Sequence, residues 1–225
     1  MGLFDSAKRI IEEMYTKKGT QGLMDVEKMK ACRDIEGLID FLKHETITVT
    51  IGAAQIALGE MGEPALEPLL QATNGAKQDV QKNIIGALGY MGEPALTPLR
   101  EMLQNGTSFI QTEAASALGD AGEPGVDLLI KILKDEEENK DIRLAAAFGL
   151  QTTDNKAATD PLIELLEDKN HWIRAAAVQA LATKSDDERA EKAFYEAVDD
   201  GLIDSAAKQE FDHDYSKMLK KSDIG

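Results

Sequence analysis

The stretch Ala57-Leu58-Gly59-Glu60-Met61-Gly62-Glu63-Pro64 returns as Ala87-Leu88-Gly89-Tyr90-Met91-Gly92-Glu93-Pro94 and again as Ala117-Leu118-Gly119-Asp120-Ala121-Gly122-Glu123-Pro124, thirty residues apart each time. Self-similarity at this period is the mark of stacked supersecondary units, each too small to bury its own apolar face. Working outward from the leucine, the register continues to Leu150 and Leu181. Four residues earlier stand Ala54, Ile84, Ala114, Ala146 and Ala177, and one residue earlier Ala57, Ala87, Ala117, Gly149 and Ala180. Apolar and small residues at this spacing form one face of a helix, slim enough for a neighbour to approach closely.

The residues after the leucine end that helix. Gly62, Gly92 and Gly122 fall where a helix terminates in a left-handed conformation, and Pro64, Pro94 and Pro124 suit the first turn of the next. Pro68, Pro98 and Pro161 lie a turn further on, so the second helix is expected to begin properly only there. The second helices then read Leu69-Leu70, Leu99, Leu129-Ile130, Leu162-Ile163 and Phe194-Tyr195. Residues 45–51 are rich in β-branched side chains and by propensity resemble a strand. The repeat register instead makes them the start of a first helix. Residues 2–16 read as an amphipathic helix, 17–22 as a polar linker, and 25–33 and 34–44 as two further helices. Residues 202–219 read as a charged capping helix, with a frayed end at 222–225. The expected organisation is a helical extension at 1–33, a repeat array at 34–199, and a capping helix and tail at 200–225.

Composition narrows the function. The 225-residue chain has a net charge of −16, and residues 51–130 hold 3 Lys/Arg against 10 Asp/Glu, a net of −7. Such a surface repels phosphate backbones, so nucleic acid is excluded as the expected partner and a basic protein is favoured. One cysteine, Cys32, rules out an internal disulfide and points to a reducing, cytoplasmic setting; it is expected to be a small buried residue. No apolar run reaches membrane-spanning length, so no membrane partner is expected. Oligomeric state stays open.

The Ala-Leu-Gly-x-x-Gly-Glu-Pro phrase, the Leu-Leu that follows it, and the openings Arg143-Leu144-Ala145-Ala146-Ala147 and Arg174-Ala175-Ala176-Ala177 resemble the HEAT-like repeats also named for phycobiliprotein lyases. The resemblance spans residues 34–199. It implies an all-α fold, a right-handed α-solenoid of about five helical hairpins in the armadillo/HEAT-like superhelix class. It also implies that the second helices line the concave side, where partners bind.

Enzymes on this scaffold leave traces to look for. A hydroxylase of the deoxyhypusine type holds iron with repeated His-Glu pairs; this chain has one, His44-Glu45, while His171 and His213 lack an adjacent Glu. A glycosylase needs a cationic groove, and the second helices carry acids instead. A bilin lyase is the enzyme alternative, and an oxidoreductase finds no Gly-rich loop or Cys pair. The reading is therefore a noncatalytic interaction scaffold without cofactor or metal, binding a protein through an acidic concave face.

That face is named by register. One column is Gln71, Glu101, Lys131, Glu164 and Glu196; a turn earlier stand Glu67, Thr97, Asp127, Asp160 and Lys192. Arg100 interrupts a column otherwise held by Leu70, Ile130, Ile163 and Tyr195, so it reads as core-facing. There it is either a groove anchor or a stem packed on leucines and paired with a glutamate. Trp172, the single tryptophan, is either an interface anchor or a cover for the seam between the fourth and fifth hairpins.

Overall fold

The computed structural model describes residues 17–153, 156–184, 187–199 and 201. The expected helix at 2–16, the capping helix at 202–219 and the frayed end lie outside the described residues. The chain divides into two compact units, 1–125 and 126–225.

In the first unit the helices are α1 (Lys17–Cys32), α2 (Ile35–His44), α3 (Thr48–Met61), α4 (Glu63–Thr73), α5 (Gln78–Gly89), α6 (Leu96–Asn105) and α7 (Ser108–Asp120). The unit boundary falls in the first turn of α8 (Glu123–Lys134). The second unit continues with α9 (Lys140–Thr152), α10 (Thr159–Glu164), α11 (His171–Ala182) and α12 (Glu188–Asp199). First-type and second-type helices alternate throughout, giving six successive pairs among the described residues where the register counted about five. The extra pair is α1 with α2.

Within the first unit α1, α3, α5 and α7 pack each on the next, and the core lies between this layer and the buried leucines of α2, α4 and α6. Leu58, Leu88 and Leu118 are fully buried, as are Ala54, Ile84 and Ala114. Each buried leucine contributes on the order of 1.5–3 kcal/mol by leaving water. The two glycines of the repeated phrase do different work. A Cβ on Gly89 would lie 2.8 Å from the Ala117 carbonyl, and one on Gly59 would lie 2.6 Å from that of Tyr90. The first glycine therefore lets adjacent first helices touch backbone to backbone. The second, Gly62 or Gly92, has φ of 67° or 68° with ψ of −146° or −132°. That is the mirror image of an extended strand, not the left-handed helical cap the sequence suggested. It is a region that glycine alone enters freely. Glu63, Glu93 and Glu123 then stand in the first turn of the following helical segment, where a carboxylate is favoured by the helix dipole.

Several expectations are revised. Residues 17–22 form the first turns of α1, not a linker: Gly22 is buried and packs against Thr50, so its missing side chain is what the contact requires. Cys32 is exposed at the end of α1, which stops where Arg33 adopts φ 54°; Asp34 then serves as the N-cap of α2, its Oδ1 accepting from the Gly37 backbone N–H at 2.9 Å. The prolines do not uniformly delay the second helices. Helix α4 runs straight through Pro68, whereas a 3₁₀ turn at Glu93–Ala95 precedes α6 and another at Lys156–Ala158 precedes α10. The β-branched residues 48–51 are helical, as the register required. Thr50 is buried and returns its hydroxyl to the Ile47 carbonyl at 2.8 Å, so neither its methyl nor its oxygen is wasted.

Candidate functional site

The second-type helices of the first unit form a looser layer than the first-type helices. Helices α2 and α4 touch, but α4 and α6 stand further apart. The cause is side-chain size: the first helices meet through alanine and glycine, the second through leucine, methionine and proline. Two open grooves result. One, of about 460 Å³, lies between α4 and α6 and reaches the first turns of α5 and α7; its lining includes Leu70, Pro98, Glu101, Met102 and Ile110. The other, of about 300 Å³, lies between α2 and α4 and includes Glu36, Lys43, Glu67 and Gln71.

The named column residues are all surface residues. Glu67, Gln71, Thr97, Arg100 and Glu101 in the first unit, and Asp127, Lys131, Asp160 and Glu164 in the second, are exposed. The structure pairs some of them locally. Gln71 Nε2 donates to Glu67 Oε1 at 2.8 Å, one turn along α4. In the second unit Glu164 meets Lys134 at 2.5 Å, and Asp160 meets Arg189 at 2.7 Å. Glu164 and Asp160 are thus matched by cations from outside the columns, which the register could not foresee, while Asp127 has no partner among the described residues. In the first unit Glu101 has no hydrogen-bonding or ionic partner among the described residues.

Arg100 corrects a specific expectation. Its column is not a core column: Leu70, Ile130, Ile163 and Tyr195 are half-buried, and Arg100 itself is exposed. It neither packs inside nor pairs with a glutamate among the described residues, and it does not line the groove that holds its neighbour Glu101. For Trp172 the backbone belongs to α11, and its side chain lies outside the described residues.

The polar network that sequence reasoning missed lies in the second unit. Arg143 is buried and ion-pairs with Asp168, while its Nε donates to the Leu133 carbonyl at 2.9 Å. Arg174 Nη1 donates to the Asp168 carbonyl at 2.7 Å, and the Asn170 amide to Asp168 Oδ1 at 2.7 Å. Nearby in the chain, buried Lys184 donates to the Thr153 carbonyl at 2.5 Å. Asp187 receives Arg189 Nη2 at 2.7 Å and Nε at 3.1 Å; this guanidinium holds its carboxyl well below the usual carboxylate range despite burial. The recurrence of arginine at 143 and 174 is the signal for it in the sequence. The network joins loops and helix ends, and every charge in it that is buried has a partner, so it is structural.

No group of three or more potential metal-binding side chains converges among the described residues, and no described helix is long and apolar enough to cross a membrane.

The comparisons fit this architecture. The family model for HEAT repeats matches residues 35–119, 66–140 and 126–209, well over half of the sequence. The chain belongs to the HEAT-repeat family. Among curated proteins none matches it. Several solved structures are similar to it, three of which follow. The complex of CpcE and CpcF of phycocyanin lyase from Nostoc sp. PCC7120 is 19% identical with a TM-score of 0.37, over 80% of this chain and 96% of that one. Human deoxyhypusine hydroxylase in complex with glycerol is 20% identical with a TM-score of 0.39, over 72% and 77%. A designed armadillo repeat protein in complex with a (KR)4 peptide is 18% identical with a TM-score of 0.40, over 89% and 97%. None of the three bears on what this chain binds.

Proposed function

We propose that the chain is a noncatalytic protein-binding module that engages a basic partner through its second-helix face, chiefly that of the first unit. The observation that carries this reading is the contrast just described. On the first unit Glu67 and Glu101 stand exposed on successive second helices beside open grooves, and Glu101 has no ionic partner among the described residues. On the corresponding face of the second unit Glu164 and Asp160 are paired with Lys134 and Arg189, leaving Asp127 as the unpaired acid of its columns among the described residues. A net excess of one sign attracts and orients an oppositely charged partner before contact. In this reading residues 34–199 are the working array, 1–33 and 200–225 are its flanks, and the single cysteine suits a reducing, cytoplasmic setting.

Fluorescent octalysine is a direct probe. Its anisotropy at low ionic strength should report binding that weakens as salt screens the face. The combined variant Glu67→Lys, Glu101→Lys and Glu164→Lys should bind octalysine far more weakly while keeping the helical circular dichroism of the parent. Equal affinity in the two proteins would move the site elsewhere. Stoichiometric iron or turnover of a bilin by the purified protein would overturn the noncatalytic reading.

A further inference from the structure

The groove between α4 and α6 has the chemistry of a pocket for one side chain. Its floor is apolar, built from half-buried Leu70, Met102 and Ile110. Its deeper polar groups are already satisfied: the Thr73 hydroxyl donates to the Leu69 carbonyl at 3.0 Å, and Gln81 Nε2 donates to the Thr73 carbonyl at 3.3 Å. The rim differs. Glu101, Asn74 and Asn105 are exposed, and none of their side chains has a partner among the described residues. Glu101 is the one charged residue in the lining. The groove one pair earlier, between α2 and α4, makes the contrast. There Lys43 sits among the acids, and Gln71, at the register position of Glu101, is engaged by Glu67.

We propose that this groove receives a single long cationic side chain, lysine before arginine, from the basic partner. The inference rests on the function proposed above and names the feature of the partner that the site reads. The methylenes of a lysine would cover Leu70, Met102 and Ile110, as amphipathic side chains do wherever a stem can stay dry and a head wet. Its ammonium carries three donors, and the rim offers a carboxylate and two amide carbonyls to accept them. These acceptors come from separate side chains, which suits a compact point charge better than a planar guanidinium fork. An aliphatic side chain of the same length would fill the floor and leave the Glu101 charge uncompensated. An acidic one would be repelled.

The test uses the whole chain with its methionines carrying 13C-methyl groups, the Met102 methyl serving as reporter and those of Met24 and Met61 as controls. The probe is Nα-acetyl-lysine N-methylamide, compared with its norleucine counterpart. The lysine probe should shift the Met102 methyl in a saturable way and leave the controls in place. The norleucine probe should bind about three- to fivefold more weakly, and Glu101→Gln should weaken the lysine probe by about the same factor, the size expected of one exposed ion pair. Glu101 is exposed, so the variant keeps its fold. If norleucine moves Met102 as readily as lysine, the cationic assignment is overturned. If octalysine binds and the charge-reversed protein does not, yet Met102 stays still, this inference falls while the proposed function stands. If neither octalysine nor the lysine probe binds, both fall.

Discussion

The two units close the same kind of helix pair by different chemistry. In the first, the turn from α3 to α4 is written into the backbone: Gly62 takes a conformation other residues avoid, and Pro64 starts the next helix with its φ already set. In the second, the phrase is gone. The turns after α9 and α11 are fastened by side chains instead, with Lys184 on the Thr153 carbonyl and Asp187 on Arg189. The buried Arg143–Asp168 pair holds the ends of α8, α9 and the segment before α11. A backbone hinge is local and repeats at a fixed interval. A side-chain hinge joins residues 25 or 31 positions apart and leaves no periodic trace.

The comparison can be broken at its strongest point first. Arg143→Ala strands the buried Asp168 carboxylate and should cost about 3–5 kcal/mol in urea unfolding. Removing both partners should recover part of that loss, because the orphaned charge goes with them. No loss on Arg143→Ala would mean that the second unit is not held by this pair. Next in size, Leu118→Ala and Leu150→Ala test what the units share. Both leucines are fully buried, so each should cost about 2–5 kcal/mol. A cheap Leu150→Ala beside a costly Leu118→Ala would show that only the regular unit has a rigid core.

The backbone hinge predicts a smaller effect. A Cβ on Gly62 meets no atom within 4 Å, so Gly62→Ala reports backbone strain alone. Thermal unfolding should show a loss of about 1–3 kcal/mol. A neutral Gly62→Ala would deny the glycine its conformational role. Least of all, acid should separate the units. The Asp187 carboxyl is depressed by Arg189, so its contribution is complete above the unfolded carboxylate pKa of about 4 and is lost as pH falls below it. Asp187→Asn should flatten the acid limb of second-unit stability, read by amide exchange within α12, and leave exchange in α5 unchanged. An identical acid limb in the variant would remove Asp187 from that role.

The fold was readable because its determinants are local and repeated. Leu58, Leu88, Leu118, Leu150 and Leu181 are all buried, and the register even overrode the strand propensity of residues 48–51. Misreadings occurred where a contact, not a pattern, decides. Gly22 looks like a linker residue until Thr50 of α3 is seen packing on it, and Arg100 looks core-facing until its column proves to lie at the surface. The candidate face was readable as a set of positions. Which of its charges remain free was not, since Lys134 and Arg189 come from outside the columns.

The amino-acid order alone thus determined the helix pairs, their hinge and the buried leucine column, because each follows from the backbone preferences and spacing of residues within one repeat. Only the tertiary structure decided which acids stay uncompensated and that a groove opens between α4 and α6. Both depend on side chains brought together across helices, and helix spacing there is set by the bulk of the residues that meet.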